Sequence, residues 1–208
     1  MSEAKPTIFV VDDDPSVRDS LELLLRSVEL DVRTYASAEQ FLKEASPGAT
    51  GCLILDIRMP GMTGLDLQDR CTEAGFFLPI IFITGHGTIP MSVRAMRAGA
   101  TDFLEKPFEE DDLLNAINRA IERDREATRE RNELEEIRER ANALTPREYE
   151  VFGLIVAGMA NKQAAYRLGT TERTIKAHRG RVMEKMRAGS LADLVRYGGK
   201  LGIPTADK

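Results

Sequence analysis

Over about the first 120 residues, five short apolar runs at 7–11, 30–35, 52–55, 79–83 and 101–104 alternate with segments whose apolar residues recur at helical spacing. Val17, Leu21, Leu24 and Leu25 share one such face, Val93 and Met96 another, and each segment closes on Gly or a turn signal. Parallel strands need crossover connections and near-continuous apolar sequence, whereas hairpins do not. The pattern therefore predicts five parallel strands in a doubly wound α/β domain, with helices on both faces of the sheet.

At 208 residues with 42% apolar content, the chain can hold a second, smaller core as well. No apolar run reaches the roughly 18 residues of a membrane span. The strongest, 78–84, is interrupted at once by Gly85-His86-Gly87. The start, Met1-Ser2-Glu3-Ala4-Lys5-Pro6, lacks the basic and apolar segments of a secretory signal, and Cys52 and Cys71 lie in different patterns. A cytoplasmic protein without disulfides is expected. His86 and His178 with those two Cys make no zinc-binding spacing.

Charge divides the chain. Residues 1–141 carry 17 Lys and Arg against 28 Asp and Glu, net −11; residues 142–208 carry 12 against 6, net +6. A basic C-terminal third is the footprint of a polyanion-binding module, with a solvated basic face as the alternative. Between the halves, a helix runs without Pro or Gly from Phe108 towards Pro146, almost wholly charged from Glu122 to Arg140. We read 122–141 as a solvated helical linker. Its sparse apolar positions Leu134, Ile137, Ala141 and Leu144 leave open a short intermolecular coiled coil. From Leu144 onward, four short helices follow at about 146–157, 161–168, 171–187 and 190–198. The first opens with a capping box, Thr145 as N-cap and Glu148 at the third position, with Pro146 between them.

In parallel sheets, chemistry gathers at the carboxyl ends of strands. The first strand ends in Asp12-Asp13-Asp14, the third in Asp56, the fourth in Thr84 and the fifth in Lys106. Carboxylates, a hydroxyl and an ammonium on one rim suit a half-open Mg²⁺ site and transfer of a phosphoryl group to an Asp nucleophile.

These residues lie in Val10-Val11-Asp12-Asp13-Asp14, Leu55-Asp56-Ile57-Arg58-Met59-Pro60-Gly61-Met62-Thr63-Gly64, Ile83-Thr84-Gly85-His86-Gly87 and Phe103-Leu104-Glu105-Lys106-Pro107-Phe108. Together the motifs resemble the receiver domain of bacterial two-component response regulators, over residues 5–121, and imply its flavodoxin-like fold. The resemblance implies that Asp56 accepts a phosphoryl group from a sensor histidine kinase. It implies that Asp12, Asp13, Asp56 and the carbonyl of Arg58 hold Mg²⁺, and that Lys106, Thr84 and Phe103 form the switch. It also implies a cis Lys106-Pro107 bond and a homodimer formed on phosphorylation through the fourth helix and fifth strand.

Residues 161–180 read as helix, Gly turn and basic helix, a helix-turn-helix whose second helix enters the major groove of double-stranded DNA. With Leu144-Thr145-Pro146-Arg147-Glu148, the segment 142–203 resembles the LuxR-type DNA-binding domain, and the whole chain the NarL/FixJ class, on its FixJ side. Ala164, Ala165, Leu168, Ile175, Val182 and Met186 are expected inside. The contacts to DNA are expected from Asn161, Lys162, Thr171, Arg173, Thr174, Lys176, Ala177, Arg179, Arg181 and Lys185. Gly180 departs from the pattern, since a side chain able to touch DNA often stands there. A Mg²⁺-dependent phosphohydrolase would use similar pocket chemistry but needs a general acid or base and a substrate enclosure, neither evident here. Self-phosphorylation and slow self-dephosphorylation are the activities expected.

Overall fold

The computed structural model describes residues 5–85 and 87–204. They form two compact units divided between Thr128 and Arg129.

The first unit is a five-stranded parallel sheet in the order β2-β1-β3-β4-β5. Its strands are β1 (Thr7–Val11), β2 (Asp31–Tyr35), β3 (Gly51–Asp56), β4 (Ile80–Thr84) and β5 (Asp102–Glu105). Between them lie α1 (Pro15–Ser27), α2 (Ala38–Glu44), α3 (Gly64–Glu73) and α4 (Ile89–Arg97), and α5 (Glu110–Asn142) follows. Alternate side chains of each strand leave opposite faces. Phe9, Val11, Leu53, Leu55 and Phe82 pack towards Phe41, Leu67 and Ala95 on one face; Ile8, Val10, Ile54, Ile81 and Ile83 pack towards Leu21, Leu25, Leu113 and Ile117 on the other. The six residues of β3 are all buried, as a central strand covered on both sides requires. The expected α/β architecture and strand count hold.

The order of strands reverses beside β1, which pairs with both β2 and β3. Val11 is level with Leu55, Asp56 with Ile83, and Thr84 with Glu105. Register alone thus brings Asp12, Asp56, Thr84 and Lys106 to one edge of the sheet.

The second unit packs the end of α5 with α6 (Pro146–Val156), α7 (Asn161–Arg167), α8 (Glu172–Lys185) and α9 (Leu191–Lys200). Its core contains Val151, Phe152, Ile175, Val182, Met186 and Leu194. The capping box at Thr145 and Glu148 is present in both directions. Glycine is required at position 198, where a Cβ would come within 2.4 Å of Val156.

One expectation is corrected. Residues 122–141 are not a solvated linker throughout: Ile137 is 1% exposed, and with Ala141 and Leu144 it belongs to the core of the second unit. Three of the four apolar positions of the stripe thereby pack within the second unit, and Leu134 lies outside that core. Sparse apolar residues on a charged helix can bury a narrow face against a neighbouring core. Lys200 of α9 reaches Glu133 of α5 at 2.6 Å on the same side. Among the described residues, no helix is long and apolar enough to cross a membrane.

Candidate functional site

At the carboxyl edge of the sheet, Lys106 Nζ donates to Asp12 Oδ2 at 2.7 Å and to Asp56 Oδ1 at 3.3 Å. One ammonium therefore serves two carboxylates at the ends of two different strands. Both acids are buried, Asp12 at 1% and Asp56 at 6% exposure. Asp12 Oδ1 accepts the Asp14 N–H at 2.9 Å, and Asp56 Oδ2 accepts the Arg58 N–H at 2.6 Å. Lys106 itself is fixed by its own N–H, which donates to the carbonyl of Thr84 at 2.8 Å, and the bond to Pro107 is cis, as the family resemblance implies.

Burial raises the pKa of Asp56, and the nearby charge of Asp12 adds to that; the charge of Lys106 and the Arg58 N–H work the other way. Burial disfavours the Lys106 ammonium, but its hydrogen bond to Asp12 and the two carboxylate charges leave its pKa above the ordinary value. The ammonium stays charged where charge is needed.

The structure brings together Asp12, Asp56, Thr84 and Lys106, while Asp13 and the side chain of Arg58 are exposed beside them. Thr84 is buried at the end of β4. Phe103 on β5 is half-buried against Phe82, with ring centroids 6.5 Å apart. His86 lies outside the described residues. Among the described residues, no group of three or more His, Cys, Asp or Glu side chains is placed to hold a metal ion by itself. Mg²⁺ does not ask for one, since it binds through one or two carboxylates and keeps waters and phosphate oxygens as its remaining ligands. The hard oxygen donors at this edge fit it.

Gly64 stands in the receiver motif, but sequence reasoning gave it no role of its own. Its N–H donates to the Ile57 carbonyl at 3.0 Å, and a Cβ there would lie 2.2 Å from the Asp56 carbonyl oxygen. The helix after Asp56 can start so close beneath it because this residue has no side chain. Glycine in a turn after a strand was visible in the sequence; its backbone neighbour was not. A cavity of about 550 Å³ opens at the other end of the sheet, between Lys5, Thr7, Arg26 and Asp31, away from the acidic edge.

In the second unit, α7 and α8 are joined by a turn with Gly169 at φ 60°. Thr171 caps α8, accepting the Thr174 N–H at 3.2 Å, and its hydroxyl lies 2.9 Å from that of Thr174. Lys162, Arg173, Lys176, Ala177 and Arg181 are exposed. Arg179 is half-buried and donates to Asn161 Oδ1 at 2.8 Å, tying α8 to α7. Lys185 does not face outward as expected. Its ammonium donates to Glu148 Oε2 at 2.7 Å and to the Ala143 carbonyl at 3.1 Å. The physical reason is helical spacing: Lys185 lies three residues after buried Val182, and Arg179 four after buried Ile175, so both flank the inner face. Gly180 is exposed, with nothing within 4 Å of a Cβ placed there, so nothing in its surroundings requires glycine.

Residues 8–118 match the family model of the response regulator receiver domain, and residues 142–198 that of the luxR family of bacterial regulatory proteins. The chain belongs to the two-component response regulators. It joins a receiver to a luxR-type DNA-binding domain, which makes it a transcriptional regulator; a receiver implies a histidine kinase partner, and the second domain implies DNA. Nodulation protein W of Bradyrhizobium diazoefficiens is 48% identical over 202 residues, 97% of this chain and 89% of that protein. The transcriptional regulatory protein FixJ of Azorhizobium caulinodans is 41% identical over 207 residues, 100% of this chain and 98% of that protein. Among solved structures, the response regulator StyR superposes with a TM-score of 0.84 at 48% identity, covering 95% of this chain and 100% of that one. Full-length FixJ from B. japonicum gives 0.58 at 40% identity, over 97% and 100%.

Proposed function

We propose that this regulator accepts a phosphoryl group from a sensor histidine kinase on Asp56, and that the phosphorylated form pairs with a second copy and binds promoter DNA. The observation that carries the reading is the ammonium of Lys106 shared between Asp12 and Asp56. An Asp56 oxygen attacks the phosphorus of a kinase phosphohistidine; the P–O bond of an acyl phosphate forms as the P–N bond breaks, and the departing imidazole takes up a proton. The charge of Lys106 opposes the effect of burial on the attacking carboxylate, and its ammonium is the group assigned to pair with a phosphoryl oxygen. Asp12, Asp13, Asp56 and the Arg58 carbonyl are the ligands assigned to Mg²⁺, which when bound neutralises charge on the transferring group.

A new group of about −1.5 to −2 charge attracts hydroxyl donors. Thr84, next along β4 from the residue level with Asp56, is the donor assigned to it, and Phe103 follows the vacated space. The output face is α4 with β5. Ile89, Val93 and Met96 are exposed on α4 at helical spacing, an apolar stripe suited to pairing with a second copy. In the second unit, Lys162, Arg173, Lys176 and Arg181 supply exposed cations, and Asn161, Thr171, Thr174, Ala177 and Arg179 frame them. A dimer would carry two α8 helices to half-sites about one helical turn apart. Slow loss of the acyl phosphate is the remaining chemistry assigned to the chain, whose location is cytoplasmic.

Labelling with acetyl phosphate and Mg²⁺ tests the site. The wild type should gain one phosphoryl group and Asp56→Asn none; a stable phosphoryl group on the variant would overturn the assignment.

A further inference from the structure

Asp13 is exposed, and the hydrogen bonds of its loop go to its neighbours Asp12 and Asp14. Asp12 Oδ1 takes the Asp14 N–H at 2.9 Å, and Asp14 Oδ1 takes the Ser16 N–H at 2.8 Å as the cap of α1. The peptide joining Asp12 to Asp13 is held differently. Its carbonyl oxygen, that of Asp12, accepts Arg18 Nη1 at 2.6 Å. Arg18 stands one turn into α1, where its own N–H donates to the Asp14 carbonyl at 3.1 Å, so the guanidinium reaches back from a capped helix over the loop that precedes it. A charge-assisted bond of this length fixes a peptide plane firmly. Turning that plane would swing the Cα–Cβ bond of Asp13 and the aim of its carboxylate.

We propose that Arg18 is a positioning residue for the cation site: by clamping the Asp12 carbonyl it aims the Asp13 carboxylate at Mg²⁺, while Lys106 holds the carboxylates of Asp12 and Asp56 from the other side. The inference rests on the reading of Asp12, Asp13 and Asp56 as the Mg²⁺ site. Groups behind a metal ligand set its orientation, and losing one typically weakens metal binding about 10–100-fold. The same residue lies too far back along α1 to be read as a ligand from sequence, where it is one more charge on a helix.

The test is calorimetric titration of MgCl₂ into the full, unphosphorylated chain, with Arg18→Met, Arg18→Lys and Asp13→Asn beside the wild type. Arg18→Met should raise the Mg²⁺ dissociation constant by about tenfold. Arg18→Lys, which keeps a cationic donor, should recover part of the loss. The thermal midpoint of both should stay near that of the wild type. In acetyl phosphate labelling, the Mg²⁺ concentration for half-maximal rate should shift by the same factor while the rate at saturating Mg²⁺ stays unchanged. Wild-type affinity in Arg18→Met, or a loss of affinity matched by a general loss of folding in both Arg18 variants, overturns the role of Arg18. Failure of the wild type itself to bind Mg²⁺, or full affinity in Asp13→Asn, overturns the underlying site.

Discussion

The ammonium of Lys185 lies 2.7 Å from Oε2 of Glu148, which ties the end of α8 to the capping box that starts α6. The hydrogen bond from Lys185, followed by the Thr145 N–H, holds the Glu148 carboxyl at about 2 against an ordinary 4.5. A carboxylate with its folded pKa depressed stabilises the fold above its unfolded pKa and loses that contribution as pH falls through the folded value. The second unit should therefore keep its thermal midpoint down to about pH 5 and lose stability progressively from about pH 4.5 towards pH 2. Glu148→Gln should lower the midpoint at neutral pH and flatten the acid limb. Calorimetry across this range checks both; an unchanged acid limb in Glu148→Gln would show that Glu148 does not govern it.

What the sequence discloses, and what it hides, differs between the two halves for a physical reason. At the acidic edge, strand period and register do most of the work: once β1, β3, β4 and β5 are parallel neighbours, residues at their ends must converge, so Asp12, Asp56, Thr84 and Lys106 were legible together. On α8, position along the chain says little about which side chains remain outside. Lys185 and Arg179 look like DNA contacts among so many cations, yet each flanks the buried face and finds an internal partner. Ile137 was visible as an apolar residue at helical spacing, but its partner core lies in helices that follow it and cannot be inferred from a charged window. Gly64 and Arg18 act through backbone oxygens, which carry no sequence signature.

Ile137 tests where the second unit begins. As a residue 1% exposed within that core, its truncation should cost about 2–5 kcal/mol. Leu134 is half-buried outside the core cluster, and Leu134→Ala should cost markedly less. Urea unfolding of the full chain, followed by amide exchange to separate the two units, should locate the Ile137→Ala loss in the second. Equal, small effects of both variants would restore the reading of a solvated linker.

Gly64→Ala should damage Asp56 more than an ordinary helix N-terminus would explain. The added Cβ would meet the Asp56 carbonyl at 2.2 Å and the Leu55 side chain at 3.0 Å, so β3 or the start of α3 must move. Overpacking of this kind costs about 1–3 kcal/mol. The variant should melt earlier and label more slowly with acetyl phosphate. Labelling at the wild-type rate would mean that the close approach is not needed to place Asp56.

The stripe on α4 predicts a separation of phosphorylation from pairing. Val93→Asp puts a charge in the centre of the apolar line formed with Ile89 and Met96. It should label on Asp56 at the wild-type rate yet sediment as a monomer in the presence of acetyl phosphate and Mg²⁺, where the wild type sediments as a dimer. A variant that still dimerises would move the pairing face elsewhere.

The central claim is that phosphorylation of Asp56 gates the binding of the second unit to DNA. Its most direct measurement is genome-wide DNA occupancy in cells carrying the wild type or Asp56→Asn, at equal protein levels and under a stimulus that phosphorylates the wild type. The wild type should occupy a discrete set of promoters that Asp56→Asn leaves largely empty; the same sites filled to the same extent by both proteins would contradict the account.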